Sequence, residues 1–250
     1  MERVRLDRAW VLHRRDFRDS SQIVECLTEH HGRVSLVAKG IKRPKHRHRG
    51  LLQPFSGLRL SWSSRGELGT LTDVEGDVAN TVRLTGDALL AGFYVSELCL
   101  KLTHRHDPNP ELFALYGYVI TKLASADPVD LTLRRFENHL LTDLGFGINW
   151  DMDIDSGRRV LAERMYEMIP DAGPREVSSE LQGERTVAGH HLLRIVDDDW
   201  ENPETRKIGR LILARALEQQ LEGKPLHPRR VLRAIRPPTQ TCGQNDKGAG

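Results

Sequence analysis

The residues whose types suit them to chemistry are the clustered acids, the paired histidines, the cysteines and one glycine-lysine turn, and their spacing decides what each can do. Asp151, Asp153 and Asp155 alternate as the opening ligands of a calcium loop do. The remainder of that loop is missing, because glycine falls at the seventh position, Gly157, and Ala162 stands where a bidentate Glu is needed. Asp197, Asp198 and Asp199 precede Trp200 and Asn202-Pro203, where acids suit the approach to a helix N-terminus, so they read as a solvated turn rather than a nuclease centre. Gly223-Lys224-Pro225 lacks the earlier glycine and the Ser/Thr of a phosphate-binding loop. His104 with His106 and His190 with His191 are close pairs, but neither has the i, i+4 spacing of helical metal ligands, and they read as exposed polar histidines. Cys26, Cys99 and Cys242 are odd in number and far apart, which argues for reduced thiols and against a disulfide framework or cysteine metal site. The sequence therefore predicts a non-enzyme with no catalytic residues, no cofactor and no metal.

What remains is electrostatic chemistry. Lys39 to Arg49 holds six fixed cations, two histidines and no acid in eleven residues, and Gly40, Pro44 and Gly50 make it a loop. A flexible basic loop brings several cations to phosphates together, and counterion release supplies affinity without any base being read. The alternative is a solvated surface loop. Charge is also segregated along the chain: residues 1–50 carry +7, 51–150 carry −4, 151–205 carry −8 and 206–236 carry +7.

The elements that position this loop follow from composition and pattern. With 250 residues, 28.4 kDa, 38% hydrophobic and 29% charged residues and a mean hydropathy of −0.48, the chain reads as a soluble globular protein of one large or two to three small domains. No apolar run reaches the roughly 18 residues of a spanning helix, and no secretory signal follows Met1, so a cytoplasmic protein without a membrane partner is expected. Extended runs at Val4 to Phe17, Ser21 to Thr28, Arg33 to Lys39, Gly57 to Trp62 and Leu68 to Val74 give five strands. Two short glycine-bearing links, 29–32 and 63–66, fit hairpins, and the basic stretch lies in the long third-to-fourth link. Five strands in about eighty residues match a small Greek-key barrel of the OB type, a fold that commonly binds single strands. From Gly86 the period becomes helical, with Leu89, Leu90, Phe93, Leu98 and Leu102 near one face. Asn109-Pro110, Asp127-Pro128 and Asn202-Pro203 each read as an N-cap followed by proline at the first helical position. The last of these helices turns Ile208, Leu211, Ile212 and Leu221 inward and stops at Gly223, and a short helix, Pro228 to Ile235, follows. The fold class is α+β and multidomain: an OB-type barrel over 1–80, a mainly helical domain over 81–236, and a disordered tail over 237–250.

Four separated stretches, Gly32-Arg-Val-Ser-Leu-Val-Ala-Lys-Gly40, Leu52-Gln-Pro-Phe-Ser56, Leu133 to Gly147 and Gly223-Lys-Pro-Leu226, resemble in content and order the signature segments of the RecO family of bacterial DNA repair proteins. The resemblance spans about residues 1–236. It implies a recombination mediator that binds single- and double-stranded DNA and anneals complementary strands. It also implies contact with the C-terminal tail of single-strand-binding protein and action with RecR to load RecA, at the nucleoid in the cytoplasm. Many members carry a four-cysteine zinc site after the Leu-Gly-Phe-Gly stretch, whereas residues 148–200 here contain no cysteine. That removes zinc and leaves an irregular insertion at about 150–200 held by packing or a small hairpin. By the same resemblance Arg33, Lys39, Lys42, Arg43, Lys45, Arg47 and Arg49 map to the DNA-contacting barrel surface, and Arg134 and Arg135 to the region associated with the partner's acidic tail. Beside Leu131, Leu133 and Phe136 the arginine pair suits a tail carboxylate and its apolar end, but it equally suits an internal salt bridge with Glu137 or Asp130. An OB-type RNA-binding or annealing protein without a recombination role stands as the alternative.

Overall fold

The computed structural model describes residues 2–125, 127–178 and 186–226, with the backbone alone at 78–81. Five strands form first: β1 (Glu2–Phe17), β2 (Ser21–Thr28), β3 (Gly32–Ala38), β4 (Ser56–Ser64) and β5 (Leu68–Thr81). They run in the order β1-β2-β3-β5-β4 and close as a barrel through pairing of β4 with β1, with β3 and β5 parallel and the other pairs antiparallel. Alternation supplies the interior: Val24 and Cys26 of β2, Val34 and Leu36 of β3, and Leu58, Leu60 and Trp62 of β4 share one buried cluster. β1 serves two neighbours, β4 along its first half and β2 along its second, and its register slips between Val4 and Asp7 and between Val11 and His13. β5 runs seven residues beyond the expected Val74, where Glu75, Gly76 and Thr81 pair with Arg59, Leu58 and Ser56 of β4 although the stretch carries no apolar alternation.

The outer face of this barrel is not left to solvent. Trp10, Leu12, Leu27 and Phe55 belong to the core of the helical part, together with residues of α1 (Gly86–Leu102), α2 (Pro110–Leu123) and α3 (Val129–Asp143). The Trp10 and Tyr116 rings lie 5.8 Å apart, and a Cβ on Gly117 would come within 2.9 Å of the Trp10 indole. Only a glycine lets α2 approach that closely. Beside this contact the Arg33 guanidinium donates to the Thr103 carbonyl at 2.9 Å and lies 3.5 Å from Glu25, while Arg105 approaches Glu25 at 3.4 Å. Both Ser35 and Arg33 satisfy the Glu25 carboxylate, so a buried charge at the junction is compensated.

α1 is more evenly apolar than its sequence pattern predicts. Its buried residues are Ala91, Tyr94, Val95, Leu98 and Cys99, whereas Leu89, Leu90, Phe93 and Leu102 are half-buried, because the helix lies between barrel and bundle. Burial pushes the Cys99 thiol up to about 12 and raises that of Cys26 as well, so both stay protonated and unreactive. Asn109 caps α2 through the Leu112 amide and Asn202 caps α5 (Pro203–Gln220) through Glu204 and Thr205, as the Asn-Pro signals predict. Asp127 departs from that pattern. Pro128 itself occupies the cap of α3, and the Asp127 carboxylate pairs with Lys122 instead. On α5 the buried stripe is Thr205, Gly209, Leu213 and Leu217, with the Trp200 ring packed on Gly209, and Leu211, off that stripe, is 60% exposed. His191, expected to be exposed, is buried against Thr205, Nδ1 to Oγ1 at 2.8 Å; burial and then the neighbouring His190 hold it below its usual range.

The segment expected to be irregular is ordered by a three-stranded sheet of β6 (Met165–Ile169), β7 (Gly173–Val177) and β8 (Thr186–Ala188), followed by α4 (Gly189–Val196). Its staple is Asp153. This buried carboxylate accepts from the Ser156 amide and hydroxyl at 2.7 and 2.6 Å and from the Glu176 amide at 2.6 Å, tying the preceding turn to β7. The calcium-like spacing of Asp151, Asp153 and Asp155 thus serves a hydrogen-bonded turn, with Asp155 paired to Arg175. The short helix expected at Pro228 to Ile235 and the tail at 237–250 lie outside the described residues.

Two outcomes follow from this packing. Gly117→Val should lower the unfolding free energy by about 1–3 kcal/mol through overpacking against Trp10, with barrel and helices melting in one transition; two separated transitions would disconnect the two parts. Asp153→Ala should cost about 1–2 kcal/mol. Hydrogen bonds from Ser156, opposed by burial, hold the Asp153 carboxyl below its usual range. Its contribution is therefore complete above the unfolded carboxyl's pKa of about 3.9 and is lost as pH falls through the lower folded value. Acid unfolding of the variant should consequently show a shallower pH dependence than that of the wild type.

Candidate nucleic-acid interface

The basic loop is wound and pinned rather than flexible. Successive amides donate three residues back, Arg43 to Gly40, His46 to Arg43, Arg49 to His46 and Leu51 to His48, so the chain advances as a string of tight turns. Ile41 and Leu52 at its two ends enter the barrel core, which fixes the loop's position over the barrel wall. With its apolar residues turned in, the loop turns its cations out: Lys39, Lys42, Arg43, Lys45, Arg47 and Arg49 are all exposed.

Four of these six, Lys39, Arg43, Lys45 and Arg49, make no ion pair among the described residues. Lys42 lies 2.7 Å from Asp16 and Arg47 2.8 Å from Asp73, and both are solvent-facing pairs that salt or a competing phosphate loosens. His48 is different. Burial, and then the cation of Arg47, hold it below its usual range, so it contributes packing against Asp73 and little charge at neutral pH.

Arg33, the seventh residue assigned to DNA by resemblance, does not join this surface. Its guanidinium is 12% exposed and its hydrogen bonds go to Thr103, with Glu25 beside it, so it serves the barrel–helix junction. Burial lowers its pKa while Glu25 works against that shift. The surface gains instead three residues that the loop-centred reading passed over. The β1–β2 turn lies against the loop through Lys42 N to Ser20 O at 3.0 Å, and the hairpin that it closes carries Arg14, Arg15 and Arg18, with Arg14 and Arg15 on opposite faces of β1. The +7 of residues 1–50 mixes these cations with Arg3, Arg5 and Arg8 near the start of β1 and with Arg33 at the barrel–helix junction; the closed barrel shows that the turn and the loop are neighbours.

Arg134 and Arg135 separate. Arg134 takes the internal alternative: it is buried and donates to Glu137 at 2.7 Å, and Glu137 also accepts from Tyr94 at 2.6 Å. Leu131, Leu133 and Phe136 around it are core residues and form no receiving surface. Arg135 is one quarter exposed and lies 2.7 Å from Asp198, which also receives the Trp200 indole N–H. Burial raises the Asp198 carboxyl, but bonds from His139 and Trp200 outweigh it and leave the group below its usual range. The Asp197–Asp199 turn is thus a tie between α3 and α5 rather than a free solvated loop. Elsewhere in the helical part, a cavity of about 320 Å3 opens between residues 145–149, the β6–β7 turn and α5. Phe146, Met168, Ile212 and Ala216 line it and Arg215 stands at its edge, with no ion pair among the described residues.

Among the described residues, one mixed group has metal-ligating types within reach of one another, Asp7, Glu29 and His30. Both His30 and His31 direct Nδ1 to the Asp7 carboxylate, at 2.7 and 2.8 Å, an arrangement that staples the β2–β3 turn to β1. No helix of the described residues is long and apolar enough to cross a membrane.

Comparison with known proteins agrees with this architecture. Residues 1–76 match the family model described as recombination protein O N terminal, and residues 83–230 match recombination protein O C terminal. Similar relatives are each named DNA repair protein RecO. That of Methylococcus capsulatus is 38% identical over 232 residues, covering 93% of this chain and 94% of the relative. That of Azoarcus sp. strain BH72 is 38% identical over 237 residues, covering 94% and 97%, and that of Paraburkholderia xenovorans is 40% identical over 225 residues, covering 90% and 75%. None of these names denotes a catalysed reaction. An OB-type barrel joined to a helical domain, matched over residues 1–76 and 83–230, identifies the chain as a member of the RecO family, with a role in DNA repair and recombination.

Proposed function

We propose that this protein is a recombination mediator that binds single- and double-stranded DNA, anneals complementary strands and, with RecR, helps load RecA onto DNA coated by single-strand-binding protein. The observation that carries this reading is the ridge formed by the 39–49 loop and the β1–β2 turn, where nine exposed or half-exposed cations meet the three acids Asp16, Asp19 and Asp73. Phosphate contacts of this kind hold a strand without occupying its base edges, so a complement remains free to pair. Two polyanions repel, and a cationic ridge between them lowers that repulsion in a salt-dependent way. The mechanism is electrostatic and needs no covalent step. Its setting is the cytoplasm, at the nucleoid.

The partner tail belongs on the helical part, but not at Arg134. A carboxylate arriving there would have to displace Glu137 from a buried pair, and one arriving at Arg135 would have to displace Asp198. The cavity beside Arg215 supports the assignment better, because a recess lined in part by Phe146, Met168, Ile212 and Ala216, with the unpaired Arg215 and with Asp171 held by Gln219, can receive an apolar end beside a cation.

Six phosphate contacts to a single strand give a log-log salt slope of about −4, and changing Lys42, Arg43 and Lys45 together to Ala should weaken binding to all sequences alike and flatten the slope to about −2. An unchanged slope would remove the loop from the interface. RNA of equal length, run as competitor, decides the alternative: an RNA preference would make this an RNA-binding barrel. Arg215→Glu should abolish binding of a peptide copying the partner's acidic C-terminus and leave bare-DNA binding intact. Arg134→Glu should instead lower stability by about 3–5 kcal/mol, since it leaves Glu137 buried without its cation. Loss of the peptide in a fully folded Arg134→Glu protein would return the tail to α3.

A further inference from the structure

Phe17 closes β1, half-buried and paired across the hairpin with Ser21. The next residue, Arg18, is exposed and has φ of +54°, a left-handed conformation that a long side chain rarely adopts. That conformation has a visible result: the guanidinium carbon lies 5.1 Å from the Phe17 ring centroid, so ring and cation stack at the tip of the turn. Backbone strain of this kind persists where surrounding structure maintains it, and here the basic loop does so through Lys42 N to Ser20 O and Gly40 N to Ser21 Oγ. An aromatic–guanidinium pair therefore stands at the tip of the β1–β2 turn, against the basic loop.

Cations recognise the phosphates of paired and unpaired strands alike. An aromatic face can stack only on a base that is not already stacked in a duplex, and every base offers such a face whatever its identity. We propose that Phe17 and Arg18 form a base-stacking step on single-stranded DNA, so that the β1–β2 turn distinguishes unpaired from paired strands while the loop supplies charge. The proposal rests on the DNA-binding reading above and assigns within it a division of labour: the loop sets the salt dependence, and the turn sets the preference for a strand with accessible bases.

The test compares oligo(dT) with an abasic phosphodiester strand of equal length and charge, both binding to the full chain. The wild type should bind oligo(dT) about five-fold or more tightly than the abasic strand, the equivalent of roughly 1 kcal/mol for a single stacked base. Phe17→Ala should bring that ratio close to one and leave the salt slope unchanged. Phe17→Trp should preserve the ratio and add an emission that oligo(dT) quenches and the abasic strand does not; the four native tryptophans, all buried, provide the unchanged background. A Phe17→Ala protein that keeps the wild-type ratio overturns the proposal, as does a Phe17→Trp emission indifferent to bases. Should Phe17→Ala fail to fold, the Phe17→Trp comparison decides. If the wild type binds neither strand, the DNA-binding reading itself falls; if it binds both and only the ratio is unaffected by Phe17, the stacking step alone falls.

Discussion

Burial of the outer barrel wall under the helices is the constraint on which the rest of the structure depends. Trp10 against Gly117 and Tyr116, with Leu12 and Leu27 beside them, makes part of the barrel's outside into core. Strands with both faces covered carry no free alternation, which is why β2 is buried almost residue by residue. The same contact explains the charges at its margin. Glu25 is tolerable there only because Arg33, Ser35 and Arg105 surround it, and Arg33 is consequently withdrawn from any external ligand.

With that wall closed, the barrel still offers the cations of its 39–49 loop to solvent. The long third-to-fourth connection is anchored by Ile41 and Leu52, and the β1–β2 turn lies against it, so cations distant in sequence converge on one side. OB-type barrels commonly bind ligands with the face and loops near this turn. The convergence places these cations away from the wall that the helices cover. The acids of residues 151–205 also take on structural work: Asp153 staples a turn to β7, Asp155 holds Arg175 and Asp198 joins α3 to the approach to α5. Asp198 is paired with Arg135, a cation from outside the segment, so the net charge of residues 151–205 overstates the field that they present to a nearby polyanion.

Much of this was legible in the sequence because it is local. The five strands, the position of the basic loop and the Asn109 and Asn202 caps depend on period, turn residues and neighbours a few positions away, and all appear where those features put them. Residues such as Leu211 and Asp127 did not follow their local pattern, since α5 packs through Gly209 against Trp200 and leaves Leu211 outside, and Lys122 offers Asp127 a partner other than the helix end.

Residue type and spacing by themselves determined that charge, and no catalytic constellation, is the chemistry this chain displays, and that strands precede helices. Tertiary structure alone decided which charges are available. Arg33 and Lys39 are six positions apart on one basic stretch, yet one is clamped at a buried junction and the other faces water; Arg134 and Arg135 are adjacent, yet one is core and the other is half-buried against Asp198. The physical reason is that charge is a property of the residue, whereas its exposure depends on which distant element packs against it, and desolvation turns a binding group into a structural one.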